Sequence, residues 1–128
     1  MSLEMSGIWK SFTTRTSTQH VLRDVDLTVE PGEFVSLIGH SGCGKSTLLN
    51  VAGGLLRPDA GEIRLDGRAI TGPGPDRAMV CQHYSLLPRL NVLENVRLAA
   101  RTARPDRPRS ITPEVVARYL TAVGLWEP

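Results

Sequence analysis

The sequence predicts an α/β fold organised around a glycine-rich, phosphate-binding loop. Three adjoining features predict it. Glu33-Phe34-Val35-Ser36-Leu37-Ile38 is a nearly unbroken apolar run, which suits a strand buried on both faces of a parallel sheet. Gly39 through Thr47 read Gly-His-Ser-Gly-Cys-Gly-Lys-Ser-Thr, fitting the pattern G-x-x-x-x-G-K-[ST]. Residues 45–52 place Leu48, Leu49, Val51 and Ala52 on a helical period, with Gly53 and Gly54 as a stop. Strand, loop and helix in this order is the context that gives the motif its meaning.

Each residue type in the loop answers a need of a phosphate chain. Gly39, Gly42 and Gly44 let the backbone turn tightly, so that the amides of Ser41, Cys43 and their neighbours point inward at phosphate oxygens. Lys45 reaches the β- and γ-phosphates as a mobile point charge, and the Ser46 hydroxyl suits a Mg²⁺ ion. A helix starting at about Gly44 adds its positive dipole end at Lys45, Ser46 and Thr47.

The remaining elements follow from local pattern. Residues 24–30 alternate strictly, with Val25, Leu27 and Val29 on one face of a half-buried antiparallel strand. Pro31-Gly32 turns the chain into the apolar run. Residues 62–66 and 68–70 flank Asp66-Gly67, a hairpin signal. Residues 71–75 form a Gly/Pro loop, and Ala78-Met79-Val80-Cys81 reads as a further short strand. Asn91 with Glu94 three residues on is a capping box. Val92, Leu93, Val96 and Ala99 or Ala100 form the buried side of its helix. Residues 101–110 are rich in Arg and Pro and do not suit a regular helix. They read as a solvated connector, the alternative being a basic anchoring patch, which the lack of aromatic residues among the arginines disfavours. Thr112 caps a last helix with Pro113 in its first turn. That helix buries Val115, Val116, Tyr119, Leu120 and Val123 and stops at Gly124. The chain thus divides into a β/α part, residues 1–90, and a helical part, residues 91–128.

Bulk properties narrow the function. A chain of 128 residues suits one domain, and a net charge of +2 is too small to argue for nucleic acid as a partner. No apolar run approaches membrane-spanning length, and the N-terminus carries no signal-peptide core, so a cytoplasmic chain is the expectation. Cys43 and Cys81 do not make a disulfide framework, and Cys43 reads as a small residue that fits the loop, the alternative being a thiol made reactive by Lys45 and the helix start. His20, His40 and His83 have no metal-ligand spacing with either cysteine.

Four segments, in order, resemble the ATP-binding subunit of ABC transporters, and the resemblance covers essentially the whole chain. Lys10-Ser11-Phe12 resembles the family's aromatic A-loop. The second segment is the phosphate loop with its continuation through Leu55-Leu56-Arg57-Pro58-Asp59-Ala60-Gly61. The third is Gly61-Glu62-Ile63-Arg64-Leu65-Asp66-Gly67. The fourth, Val80-Cys81-Gln82-His83-Tyr84-Ser85-Leu86-Leu87-Pro88, resembles the Q-loop. Leu37-Ile38-Gly39-His40-Ser41-Gly42 and Gly72-Pro73-Gly74-Pro75-Asp76-Arg77 are similar to importers of nitrate, sulfonate and taurine type, with departures at Cys81 and Arg89.

The resemblance implies a P-loop NTPase fold of the ABC ATPase type. An N-terminal antiparallel β subdomain and a partial RecA-like core would occupy residues 1–90, and the start of the helical subdomain residues 91–128. It implies ATP and Mg²⁺ as ligands. Phe12 would stack on adenine, the alternative being a buried strand phenylalanine, with Trp9 in reserve. Gln82 would join Ser46 on Mg²⁺ or orient water, the alternative being a solvent-facing loop residue. The stretch from Gln82 to Arg89 would face a membrane subunit, the alternative being that Leu86, Leu87 and Pro88 pack beneath the next helix. A second ATP-binding subunit would complete a dimer at the inner face of the cell membrane. The implied function is energy coupling in an importer of nitrate or sulfonate type.

The sequence contains no LSGGQ-type segment, no Walker B Asp-Glu pair and no switch histidine. The expectation is therefore a truncated N-terminal half with no complete catalytic set, Lys45 and Gln82 being supporting residues. A nucleotide-binding fragment without hydrolytic or transport activity remains the alternative. A GTPase would need an Asn-Lys-x-Asp reader, which the sequence lacks.

Overall fold

The computed structural model describes residues 1–83, 85–104 and 106–126. In residues 1–74, the first of two units into which the chain divides, four strands pair in the order β2-β1-β3-β4. They are β1 (Leu3–Thr13), β2 (Thr18–Val29), β3 (Ala60–Leu65) and β4 (Arg68–Ala69), and every pairing is antiparallel. The alternating stretch around Val25 and Leu27 lies in β2, which starts earlier than its pattern, at Thr18.

Strand β1 carries an irregularity that its sequence hides. Met5 and Ile8 are both buried although three positions apart, where strict alternation would place them on opposite faces. A register shift against β2 between these residues, with Gly7 at φ 58°, absorbs the extra residue as a bulge. The Gly7 amide donates to Asp26 Oδ1 at 2.6 Å and fixes the bulge to β2.

Helix α1 (Lys45–Ala52) supplies the other half of the core. Its Leu48 and Val51, one turn apart, join Met5, Ile8, Leu22 and Ile63 in a single buried cluster. Fully burying a side chain such as Ile8 or Val51 contributes about 1.5–3 kcal/mol. The Asp66-Gly67 hairpin forms as its residues predict, with φ of 48° and 74°. Gly61, opening β3 at φ 89°, meets a harder constraint: a Cβ there would overlap the Gly7 carbonyl.

Two expected strands are corrected. Residues 33–38 and 78–81 lie in no strand, and Phe34, Ile38 and Val80 are 91%, 94% and 99% exposed. Only Leu37 of the first run packs against the core cluster. An apolar run becomes a buried strand when neighbours take up its amides and carbonyls. Among the described residues neither run pairs with a strand.

In residues 75–128, α2 (Val92–Ala103) packs against α3 (Pro113–Ala122). The capping box is complete: Glu94 N donates to Asn91 Oδ1 at 2.9 Å, and Asn91 N to Glu94 Oε2 at 3.0 Å. Leu93, Val96 and Ala100 are half-buried, whereas Val92 and Ala99 are exposed. Val92 sits about 100° around the helix from Leu93, outside the covered stripe. Residues 101–103 continue α2, because Arg and Ala are strong helix formers. The helix ends at Arg104, which precedes a proline and cannot stay helical easily. A 3₁₀ turn, Pro108–Ser110, follows. In α3, Val116 and Leu120 are buried, while Val115, Tyr119 and Val123 are exposed. Two adjacent apolar stripes thus compete on this helix, and only one is covered. Thr112 caps α3, and Gly124 at φ 71° ends its last turn. Among the described residues no helix is long and apolar enough to cross a membrane.

Two outcomes follow for urea unfolding. Gly61→Ala should cost well over the roughly 1–2 kcal/mol of a left-handed residue, because strand β1 must move as well. Gly67→Ala, with open space around a similar φ, should cost only that. Equal losses would remove the packing argument. Phe34→Ser with Ile38→Ser should change stability by less than about 0.5 kcal/mol, as for other surface positions. A large loss would mean that the run is buried after all.

Candidate phosphate-binding site

The loop ends where it does because Gly44, the residue before α1, stands at φ 101°. Space is tight there too. A Cβ on Gly44 would lie 3.1 Å from the Val21 carbonyl and 3.2 Å from Leu22 Cδ2, so the end of the loop is seated directly on β2. Leu48 N makes the first intrahelical bond, to Gly44 O at 2.8 Å. The amides of Lys45, Ser46 and Thr47 precede it and have no intrahelical acceptor. Gly44 has no side chain to cap them, and the first turn carries no acidic residue. These amides and the helix dipole together form a ready anion site.

Lys45 closes the loop across its mouth. Its ammonium donates to Gly39 O and His40 O, both at 2.7 Å, and to Cys43 Sγ at 3.5 Å. Cys43 N donates to His40 O at 3.4 Å, and Ser41 and Gly42 form the exposed turn between. The positive charge is thus held against the loop's own carbonyls. Ser46 is exposed beside it and Thr47 half-buried. Among the described residues no group of three His, Cys, Asp or Glu could hold a metal ion. A neutral hydroxyl such as Ser46 Oγ still fits a Mg²⁺ ion that takes most of its ligands from phosphate and water.

Phe12 stands on β1, 43% exposed rather than buried. It pairs with Gln19 of β2. Val21, against which Gly44 is seated, lies two residues further along β2, at the register shift between the Lys10 and Ser11 pairings. Trp9 is also part-exposed, and its main-chain carbonyl accepts from Asp59 N at 2.8 Å.

Asp59 was not legible as a site residue. Its Oδ1 accepts from Lys10 Nζ and its Oδ2 from Ser11 N, both at 2.6 Å. These bonds, the Lys10 one foremost, hold its carboxyl below the usual carboxylate range. Lys10 Nζ also lies 5.8 Å from the Phe12 ring centroid. A sequence separation of 49 residues between Lys10 and Asp59 hides the pairing from any local pattern.

Gln82 belongs to the second unit and is exposed in the non-helical stretch before α2. Tyr84, in the same segment, lies outside the described residues. Leu86 and Leu87 are exposed, not tucked beneath the helix. Asn95 of α2 grips their loop: Oδ1 accepts from Leu87 N at 2.7 Å, and Nδ2 donates to Leu90 O at 2.9 Å and Asn91 O at 3.0 Å.

Comparison with known proteins agrees with this architecture. Residues 22–127 match the family model described as ABC transporter. The nitrate import ATP-binding protein NrtD of Synechococcus elongatus is 46% identical over 125 residues, which cover 98% of this chain and 46% of that protein. The bicarbonate transport ATP-binding protein CmpD of the same organism is 45% identical over 125 residues, covering 98% and 45%. A dimeric ATP-binding cassette, solved in a post-hydrolysis state with ADP and Pi, superposes with a TM-score of 0.67 at 33% identity, over 75% of this chain and 45% of that one. The chain thus spans about half the length of the curated relatives it matches. A family match running from β2 through the phosphate loop to the last helix, over a fold shared with solved cassettes, means that the chain belongs to the ABC transporter family.

Proposed function

We propose that this chain binds MgATP at residues 39–47, as the nucleotide-holding part of the energy-coupling subunit of a small-anion importer. The observation that carries this reading is the loop itself: three first-turn amides without intrahelical partners, an ammonium at 2.7 Å from two loop carbonyls, and no acidic residue in the first turn. Lys45 would exchange those carbonyls for β- and γ-phosphate oxygens, and the amides of Ser41 to Thr47 would take the remaining oxygens. Ser46 is the residue of this loop that would hold Mg²⁺, which would supply charge neutralisation to the phosphates; Gln82, the other residue that the resemblance implies for that role, belongs to the second unit. Phe12 would stack on adenine, since a part-exposed aromatic face suits a flat base at small entropic cost.

The relatives named for nitrate import and bicarbonate transport support a small inorganic anion as cargo. The segment from Gln82 to Arg89, whose described residues are exposed and whose later part is braced by Asn95, would dock a membrane subunit at the inner face of the membrane. The dimeric neighbour supports pairing with a second ATP-binding subunit. Residues 91–128 would be the beginning of the helical subdomain.

A second reading is favoured by one observation. Residues 39–47 and the first turn of α1 contain no carboxylate, so the loop offers binding groups but no base for water. The chain by itself would then hold nucleotide without turning it over.

Calorimetric titration with MgATP tests the binding claim. Lys45→Ala removes charge-assisted bonds worth about 1.5–3 kcal/mol, so its affinity should fall roughly 10- to 150-fold. Unchanged affinity would contradict the site. Phosphate release by the purified chain should stay near background, and sustained turnover would contradict the second reading.

A further inference from the structure

The bonds from Asp59 converge on the strand that carries Phe12. Its amide donates to Trp9 O at 2.8 Å, one carboxylate oxygen accepts from Lys10 Nζ, and the other accepts from Ser11 N. Residues 9, 10 and 11 are thus each tied to one aspartate, and the next residue is Phe12. From the β2 side, Ser11 Oγ and His20 Nδ1 are 2.8 Å apart. Lys10 and Phe12, two apart on a strand, share a face, and the Lys10 ammonium stands over the Phe12 ring at 5.8 Å from its centroid. That lies within the range of cation–π attraction. The Lys10 side chain is largely covered although Asp59 is half exposed, so the ammonium is held in place and not left to sample solvent.

We propose that Asp59 is a positioning residue for base recognition, holding Lys10 over one face of Phe12 so that the ring offers its other face to a purine. The proposal rests on the reading that Phe12 stacks on adenine. A ring already pinned by its strand and by a cation loses less freedom when a base arrives. The aspartate acts through Lys10 and the strand and touches no nucleotide itself. The ligand it serves is defined by a flat heteroaromatic base, and the phosphates are left to the loop.

The test separates base from phosphates. The full chain, wild type and variants, is titrated with ATP and with inorganic tripolyphosphate, both with Mg²⁺, and the ratio of the two affinities is read. The ratio cancels any general effect of removing a negative charge and any general loss of fold. Phe12→Ala should lower the ratio roughly 5- to 150-fold, the span for one base–aromatic stack. Asp59→Ala should lower it roughly 2- to 5-fold, as for one exposed cation–π contact. The double variant should be no lower than Phe12→Ala alone, because the aspartate acts only through the ring. Lys10→Gln, which leaves Asp59 in place, should reproduce the Asp59→Ala loss. An unchanged ratio in Asp59→Ala or in Lys10→Gln, alongside a lowered one in Phe12→Ala, would overturn this inference alone. So would additive losses in the double variant. An unchanged ratio in Phe12→Ala would overturn the stacking reading and this inference with it.

Discussion

The close approach of Gly44 to β2 is the contact on which the rest of the site depends. A Cβ at that position would lie 3.1 Å from the Val21 carbonyl, so a side chain there would push the loop and β2 slightly apart besides straining the left-handed backbone. Leu48 and Val51 lie one and two turns on, in the cluster with Met5, Ile8 and Leu22. Core packing and the start of the loop's helix thus meet on the same strand. The helix is anchored by its apolar side, and the anchoring aims its first amides outward. Lys45 adds the charge, tethered to the carbonyls of Gly39 and His40.

The loop and its helix were legible because both are local. Lys45 to Ala52 form a helix at the bounds that periodicity and Gly53 suggest, and the Asn91-Glu94 box closes as read. The Asp66-Gly67 hairpin was equally plain, since both residues take the positive φ that its turn requires. What escaped was non-local. Strand β1 went unread because the bulge at Gly7 breaks the period of two that identifies a strand. Asp59 escaped because its partners lie on a strand distant in sequence. In α3 the pattern offered two stripes, and only contact with a neighbour decides which is buried.

The overturned strands teach a different lesson. Residues 33–38 have the composition of a central strand, yet Phe34 and Ile38 face outward and no ladder forms. Composition states what a segment would bury and does not supply the surface that buries it. The run at Val80 repeats the pattern. The matched relatives extend well beyond the span they share with this chain. The end of the loop nevertheless seats on β2 at Gly44 and runs straight into α1.

The central claim is that main-chain amides at the start of α1 grip the phosphate chain. Amide NMR of the labelled chain during titration with MgATP reads those groups one by one. The account predicts that the largest shift changes fall on Ser41 to Thr47, with Gly44, Lys45 and Ser46 foremost and saturating together. Saturable changes concentrated elsewhere, with these amides unmoved, would contradict it.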